Sequence, residues 1–204
     1  METLIKDAED FVTHYLNDNL DAKFVYHNLA HTQRVVSKVE DLIEESNLSD
    51  GEKQQLLVAA WFHDTGFTKT IKGHEAESVK IASDFLKSKS VSEENIEAIS
   101  KIIMATKMDY ESKTEIEGLI RDADSAHISS KNYENYASLL RKEWELTSNK
   151  KYSKSEWLEE NIQFLSKHSF YSALATSKWE SRKGKNLAKL IQSQNKIIRL
   201  TRKH

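Results

Sequence analysis

The chain has 204 residues, enough for one sizeable core or two very small ones, and its 38% hydrophobic and 30% charged residues are the composition expected of a soluble globular protein. It contains no cysteine, which excludes disulfides, thiolate metal sites and cysteine nucleophiles, and no run of the roughly 18 to 20 apolar residues that a membrane-spanning helix needs. The net charge of -2 conceals an asymmetry: residues 178–204 carry nine Lys/Arg against one acid, whereas residues 1–177 carry 21 against 31.

With no proline and only five glycines, the chain has few helix breakers, so long helices joined by short polar turns are expected and the fold class is all-α. Residues 2–18 predict the first helix, with Leu4, Ala8, Phe11, Val12 and Tyr15 recurring at three and four. Its opening, METLIKDAEDFV, has acids where a secretory leader carries positive charge, so a cytoplasmic location is expected. A second helix spans about 28–46, with Val35, Val36, Val39, Leu42 and Ile43 on its buried face. Ser49 followed by Glu52 is the capping-box spacing and opens a third helix, about 51–63, whose LLVAAWF should be the most buried segment of all. That helix is expected to close at HDTGF, with Gly66 in the left-handed conformation.

A fourth helix covers about 73–88 and a fifth about 92–105 under a Ser92 cap, followed by the polar loop TKMDYESKT. The sixth, TEIEGLIRDADSAHI, turns Ile116, Leu119, Ile120 and Ala123 inward; the seventh is YENYASLLRKEWEL; the eighth, SKSEWLEENIQFL, is given Ser155 as its cap. Beyond His168 the pattern weakens and becomes basic. Residues 1–177 therefore read as one helical domain and 178–204 as a basic helical extension. Its closing pattern NLAKLIQSQNKIIRL has no evident cap, as if leading to a further domain. The extension could bind nucleic acid or an anionic membrane surface, but KWESRKGKNLAK lacks regular aromatic interleaving, so nucleic acid is not the expected partner. The simpler expectation is that it lies against the acidic body or that of a second subunit in a homo-oligomer.

The ionisable residues form one pattern. His31 lies near the start of the second helix, His63 and Asp64 end the apolar third, and Asp124 lies in the sixth beside Asp122. A lone buried carboxylate costs several kcal/mol, and coordination to a divalent cation supplies the compensating charge. One ion drawing His31, His63, Asp64 and Asp124 from three helices would explain why each is tolerated near a core. At 3.6 residues per turn Asp122 and Asp124 point about 200° apart, so only one of them can face such a site.

In that order and spacing, YHNLAHTQRVV, AAWFHDTGF, GHEAES and RDADSAHI resemble the HD superfamily of metal-dependent phosphohydrolases, over about residues 20–130. The resemblance implies a compact multi-helix HD-domain bundle with additional C-terminal helices. Its metal ligands would be His31, His63, Asp64 and Asp124, Asp124 being preferred because the family's distal motif usually reads Ala-Asp before a helix. Two-metal members carry further histidines after the doublet; here IIMATK puts Thr106 and Lys107 at the comparable place, which points to one metal and away from a di-iron oxygenase. Nitrogen and oxygen ligation fits one divalent ion of manganese, iron, cobalt, nickel, zinc or magnesium.

The implied reaction is hydrolysis of a small-molecule phosphoester, such as that of a nucleotide, by a metal-activated water. Asp64, Glu75 or Asp122 would accept the proton, the sequence not choosing among them. Four neighbours complete the set. His27 is either a partner of the metal site, a substrate contact or a plain loop histidine. Arg34, one turn after His31, meets a phosphate or solvent. His74 and Glu75 open the fourth helix, where an anion or second metal would be suited, although Glu75 could serve only the helix dipole. Lys107 is a phosphate contact or a solvated loop lysine. The competing class is an HD-type nucleotide-sensing or regulatory module, because DADSAHI followed by YENYASLLRKEWE is similar to HD domains that precede Pycsar-type effector modules.

Overall fold

In the computed structural model residues 2–148 and 150–201 are described, and every regular element among them is helical. Helix α1 (Glu2–Asn19) buries Ala8, Val12 and Leu16, and a short irregular link leads to α2 (Leu29–Ile43). Asn28 starts α2 from an extended conformation, its side chain accepting from the N–H groups of Ala30 and His31. Helix α3 (Asp50–Phe62) has the expected capping box of Ser49 and Glu52. Residues 56–62 are all buried, so α3 has no solvent face over its second half and forms the middle of the bundle, packed by α1, α2 and α5.

The exit from α3 differs from expectation. Gly66 is not left-handed; His63 continues in right-handed helical geometry, and Thr65–Thr68 form a 3-10 turn. Glycine is needed at 66 for space, since a Cβ there would lie 1.9 Å from the His74 carbonyl oxygen. The left-handed residue is Gly73, at φ 77°, just before α4 (His74–Ser88). Close approach at Gly66 and reversal at Gly73 together bring the start of α4 onto the end of α3, and the Gly66 N–H donates to Ser78 Oγ at 2.8 Å.

Ser92 caps α5 (Glu93–Met104), and Thr114 with Glu117 forms a capping box on α6 (Glu115–Ser125), which runs on into a 3-10 turn, Ala126–Ser129. After α7 (Tyr133–Thr147) comes α8 (Lys154–Lys167), whose cap is Ser153 rather than Ser155. Ser153 stands three residues before Glu156 and completes a capping box with it, whereas Ser155 falls inside the first turn. Helix α9 (Ala173–Thr201) is continuous through position 177/178. Its first half is seated on the body: Ala175, Trp179, Lys183 and Asn186 are buried, and Lys178 pairs with Glu45 at 2.6 Å. Toward its far end Ile191 and Leu200 are exposed; residues 202–204 of the basic extension lie outside the described residues. No helix among the described residues is long and apolar enough to cross a membrane.

Candidate metal centre

The end of α3, the first turn of α2 and the last turn of α6 meet at one point. His31 Nε2 and His63 Nε2 are 3.3 Å apart, and each lies 3.2 Å from Asp64 Oδ2. Asp124 Oδ1 closes the group at 3.1 Å from His31 Nε2 and 3.8 Å from His63 Nε2. The two histidines and Asp64 are buried, while the Asp124 side chain is 34% exposed and forms the open side. Asp122 leaves α6 on the opposite face. It is buried, and its carboxylate accepts from the Tyr171 and Ser172 N–H groups at 2.7 and 2.8 Å and from the Ser172 hydroxyl at 2.6 Å. Its expected role as a proton acceptor is therefore corrected: Asp122 holds the turn before α9.

The four-residue cluster has the character of a cation site. His63 Nδ1–H donates to the Ala60 carbonyl at 2.8 Å, which leaves Nε2 facing His31. Among the described residues Asp64 Oδ2 is buried without a hydrogen-bond partner, even with two imidazole nitrogens 3.2 Å away. The His31 and His63 Nε2 atoms lie 3.1–3.8 Å from each other, from Asp64 Oδ2 and from Asp124 Oδ1, separations that match ligand atoms around a common ion with bonds of about 2.0–2.2 Å. His31, His63 and Asp124 offer ligand atoms within 4.8 Å of one another, and Asp64 Oδ2, 3.2 Å from both imidazole nitrogens, would add a second oxygen. Burial pushes the His63 imidazole down, but the Asp64 and Asp124 carboxylates override it and raise it to about 9. Asp64 is opposed by its burial yet held well below the ordinary carboxylate range by His63, His31 and His74. Carboxylates and imidazoles thus hold one another charged, and a divalent cation would take the place of the imidazole protons and give the unpartnered oxygen a partner.

Around this cluster the expected neighbours separate into two groups. His74 belongs to it: Nε2 is 3.5 Å from Asp64 Oδ1, Nδ1 is 3.8 Å from Glu75 Oε2, and the ring stacks on Phe67 with centroids 3.8 Å apart. Burial lowers the His74 imidazole, but Asp64 and Glu75 outweigh it and the net shift is upward. Glu75 is buried and reaches the same cleft. His27 stacks on the other side of Phe67 and meets His31 edge to face; its Nδ1–H donates to Glu143, whose other oxygen accepts the Tyr26 and His27 N–H groups at 2.7 and 2.9 Å.

Arg34 and Lys107 are not brought to that cleft. Arg34 lies over the Tyr136 ring at 4.6 Å, and Lys107 is turned to Asp109 at 2.9 Å. Both departures follow from local partners that a linear spacing does not show.

Two cavities adjoin the centre. The larger, about 500 Å³, is a cleft that reaches Asp64, Asp124, His27, His74 and Glu75 and continues between α7 and α8. The smaller, about 360 Å³, shares Asp124 and His127 with it and is bordered by His31, Arg34 and Lys38. Two residues here escaped the sequence reading. Glu143 is 2% exposed, and the signal was a carboxylate at helical spacing from the apolar positions Ala137 and Leu140. His127, one turn beyond Asp124, packs edge to face on Tyr26 and is pushed down to about 4 by burial and by His31, so it is neutral.

No curated protein and no solved structure matches the chain. A family model does: that of the HD domain, over residues 28–128, a span that begins at the cap of α2 and ends in the 3-10 turn after Asp124.

Proposed function

The chain belongs to the HD superfamily of metal-dependent phosphohydrolases through residues 28–128, and from that premise we propose that it hydrolyses a phosphoester, with nucleotides as the first class to test. The observation that carries the reading is the grouping of His31, His63 and Asp124, joined by Asp64 at 3.2 Å from both imidazoles with its Oδ2 buried and unpartnered among the described residues, beside a cleft of about 500 Å³ that reaches Asp64 and Asp124. Two imidazoles and two carboxylates would hold one divalent ion, and they suit manganese, iron, cobalt, nickel or zinc better than magnesium, which prefers oxygen. Bound there, such an ion supplies Lewis acidity toward a phosphoryl oxygen and lowers the pKa of a coordinated water toward neutrality.

The chain's own groups do the rest. Ala60 fixes the His63 tautomer, and Asn28 fixes the first turn of α2 and with it His31. His74, lowered by burial but raised on balance by Asp64 and Glu75, lines the cleft as the group to donate a proton to a phosphoryl or leaving-group oxygen. Glu75 stands behind His74 as the group that can return or receive that proton. Glu143 holds the His27 ring by its Nδ1 side and leaves Nε2 as a contact for the bound phosphate.

A nucleotide panel assayed with added manganese tests this reading. Release of phosphate or a cleaved ester is expected from the wild type and none from Asp64→Ala. Full metal occupancy without turnover of any phosphoester would instead favour a module that senses a nucleotide and regulates a partner.

A further inference from the structure

The cleft beside the metal centre is chemically lopsided. Away from Asp64 and Asp124 its walls are Leu140 and Trp144 of α7 and Trp157 and Phe164 of α8, with Phe24 and Phe67 opposite. Glu75 and Glu160 also line it, as does Glu143 in its pair with His27, yet among the described residues none of the lining side chains is a lysine or an arginine. Arg34 and Lys38 border the smaller cavity instead, where Arg34 lies over Tyr136, and Lys107, outside the lining, pairs with exposed Asp109 at 2.9 Å. A ligand with a chain of phosphates would bring about four negative charges toward these carboxylates with no cationic side chain to meet them, whereas a single phosphate can be satisfied by one divalent ion and the two cleft histidines. The volume, about 500 Å³, is that of a pocket for a whole small molecule rather than for phosphate alone.

We infer that the ligand of this cleft is a phosphomonoester with one phosphate at the metal centre and a large planar or apolar organic group between α7 and α8, and that polyphosphates are excluded. This rests on the reading of the centre as a phosphoester site. Within the nucleotide class it selects monophosphates, whose base provides a planar surface, over triphosphates.

The test reads binding rather than turnover, so that it stands apart from the catalytic claim. Manganese-loaded full-length protein is titrated calorimetrically with 1-naphthylmethylphosphonate, with methylphosphonate and with a non-hydrolysable imido analogue of a nucleoside triphosphate. Burying the naphthyl group should make the first ligand bind on the order of 100-fold more tightly than the second. The triphosphate analogue should bind more weakly than the naphthyl compound. Leu140→Asp should bring the naphthyl-to-methyl ratio to within about tenfold of unity while methylphosphonate affinity stays unchanged. Phe164→Ser, at a rim position that is 45% exposed, should lower the same ratio without threatening the fold. Equal affinity for the two phosphonates, tighter binding of the triphosphate analogue, or equal losses for both phosphonates in the variants would overturn the inference. So would self-association of the wild type that Leu140→Asp abolishes, which would give the groove to a second copy of the chain. Naphthyl selectivity without hydrolysis of any phosphoester would leave the inference standing and remove the proposed enzymatic activity.

Discussion

Asp122 and Asp124 are separated by one residue on α6 and belong to different regions of the molecule. The Asp122 carboxylate is answered from within the chain: two N–H groups and a hydroxyl reach it, and nearby Lys183 Nζ donates to the His168 carbonyl at 2.6 Å and Asn186 donates to the Ile128 and Ser130 carbonyls at 2.8 and 2.9 Å. Around Asp124 imidazole nitrogens and carboxylate oxygens crowd together, with the His31 and His63 Nε2 atoms and Asp64 Oδ2 within 4 Å of one another and Asp64 Oδ2 without a hydrogen-bond partner among the described residues. The first region spends its buried charge on seating α9. The second, on the proposed reading, would use its charge to hold a metal ion. Burial alone therefore does not mark a functional carboxylate; what distinguishes the two regions is whether each buried carboxylate oxygen is hydrogen-bonded within the chain.

The comparison is broken most severely by removing one carboxylate from each side. Asp64→Ala should abolish metal binding and lower any hydrolytic rate by about 10³-fold or more, because the site loses an electrostatic component that acts directly on the reaction, with the far-ultraviolet circular dichroism of a folded helical protein retained. Asp122→Ala should act the other way. Orphaning the Tyr171 and Ser172 N–H groups should cost about 3–5 kcal/mol in urea unfolding, while the folded fraction keeps its metal. A metal loss in Asp122→Ala equal to that in Asp64→Ala would merge the two regions into one.

Smaller effects sharpen it. Glu143→Gln loosens His27 without touching the four central residues, so turnover should fall about 10–100-fold, read as kcat/KM, with metal content unchanged. His168 provides a pH test on the structural side. Burial, helped by Lys183, pushes its imidazole down to about 4 from an ordinary value near 6.5. The unfolded chain then binds a proton below about 6.5 that the folded chain declines until about 4, so stability is present above that window and is lost as pH falls through it. Replacing His168 with Gln should flatten the fall of Tm between pH 6.5 and 4.5 relative to wild type; an unchanged slope would mean that His168 is not held neutral.

The helices were legible because their signals are local. Apolar residues at three and four, serine and threonine caps and the absence of proline gave the all-α class, and the most apolar run is indeed the buried α3. The central cluster was legible in part, since a His-Asp pair ending the most apolar helix needs compensation and the HD resemblance named the rest. What stayed hidden depends on distant chain. Helical period placed Asp122 and Asp124 on opposite faces, but the groups that claim Asp122 lie 49 and 50 residues away. Glu143 reaches His27 across 116 residues. Gly66 looked like a turn residue, and only the His74 carbonyl beside it shows that the constraint is space. Ser155 lost the cap to Ser153 for a reason that was visible in the sequence, the Glu156 three positions on.

The most direct measurement is elemental analysis of the protein purified after manganese supplementation, made on wild type, Asp124→Asn and Asp122→Asn in parallel. One divalent ion per chain is expected in the wild type and in Asp122→Asn, and none in Asp124→Asn. An empty wild type, or the same metal content in both variants, would contradict the assignment of the two faces of α6.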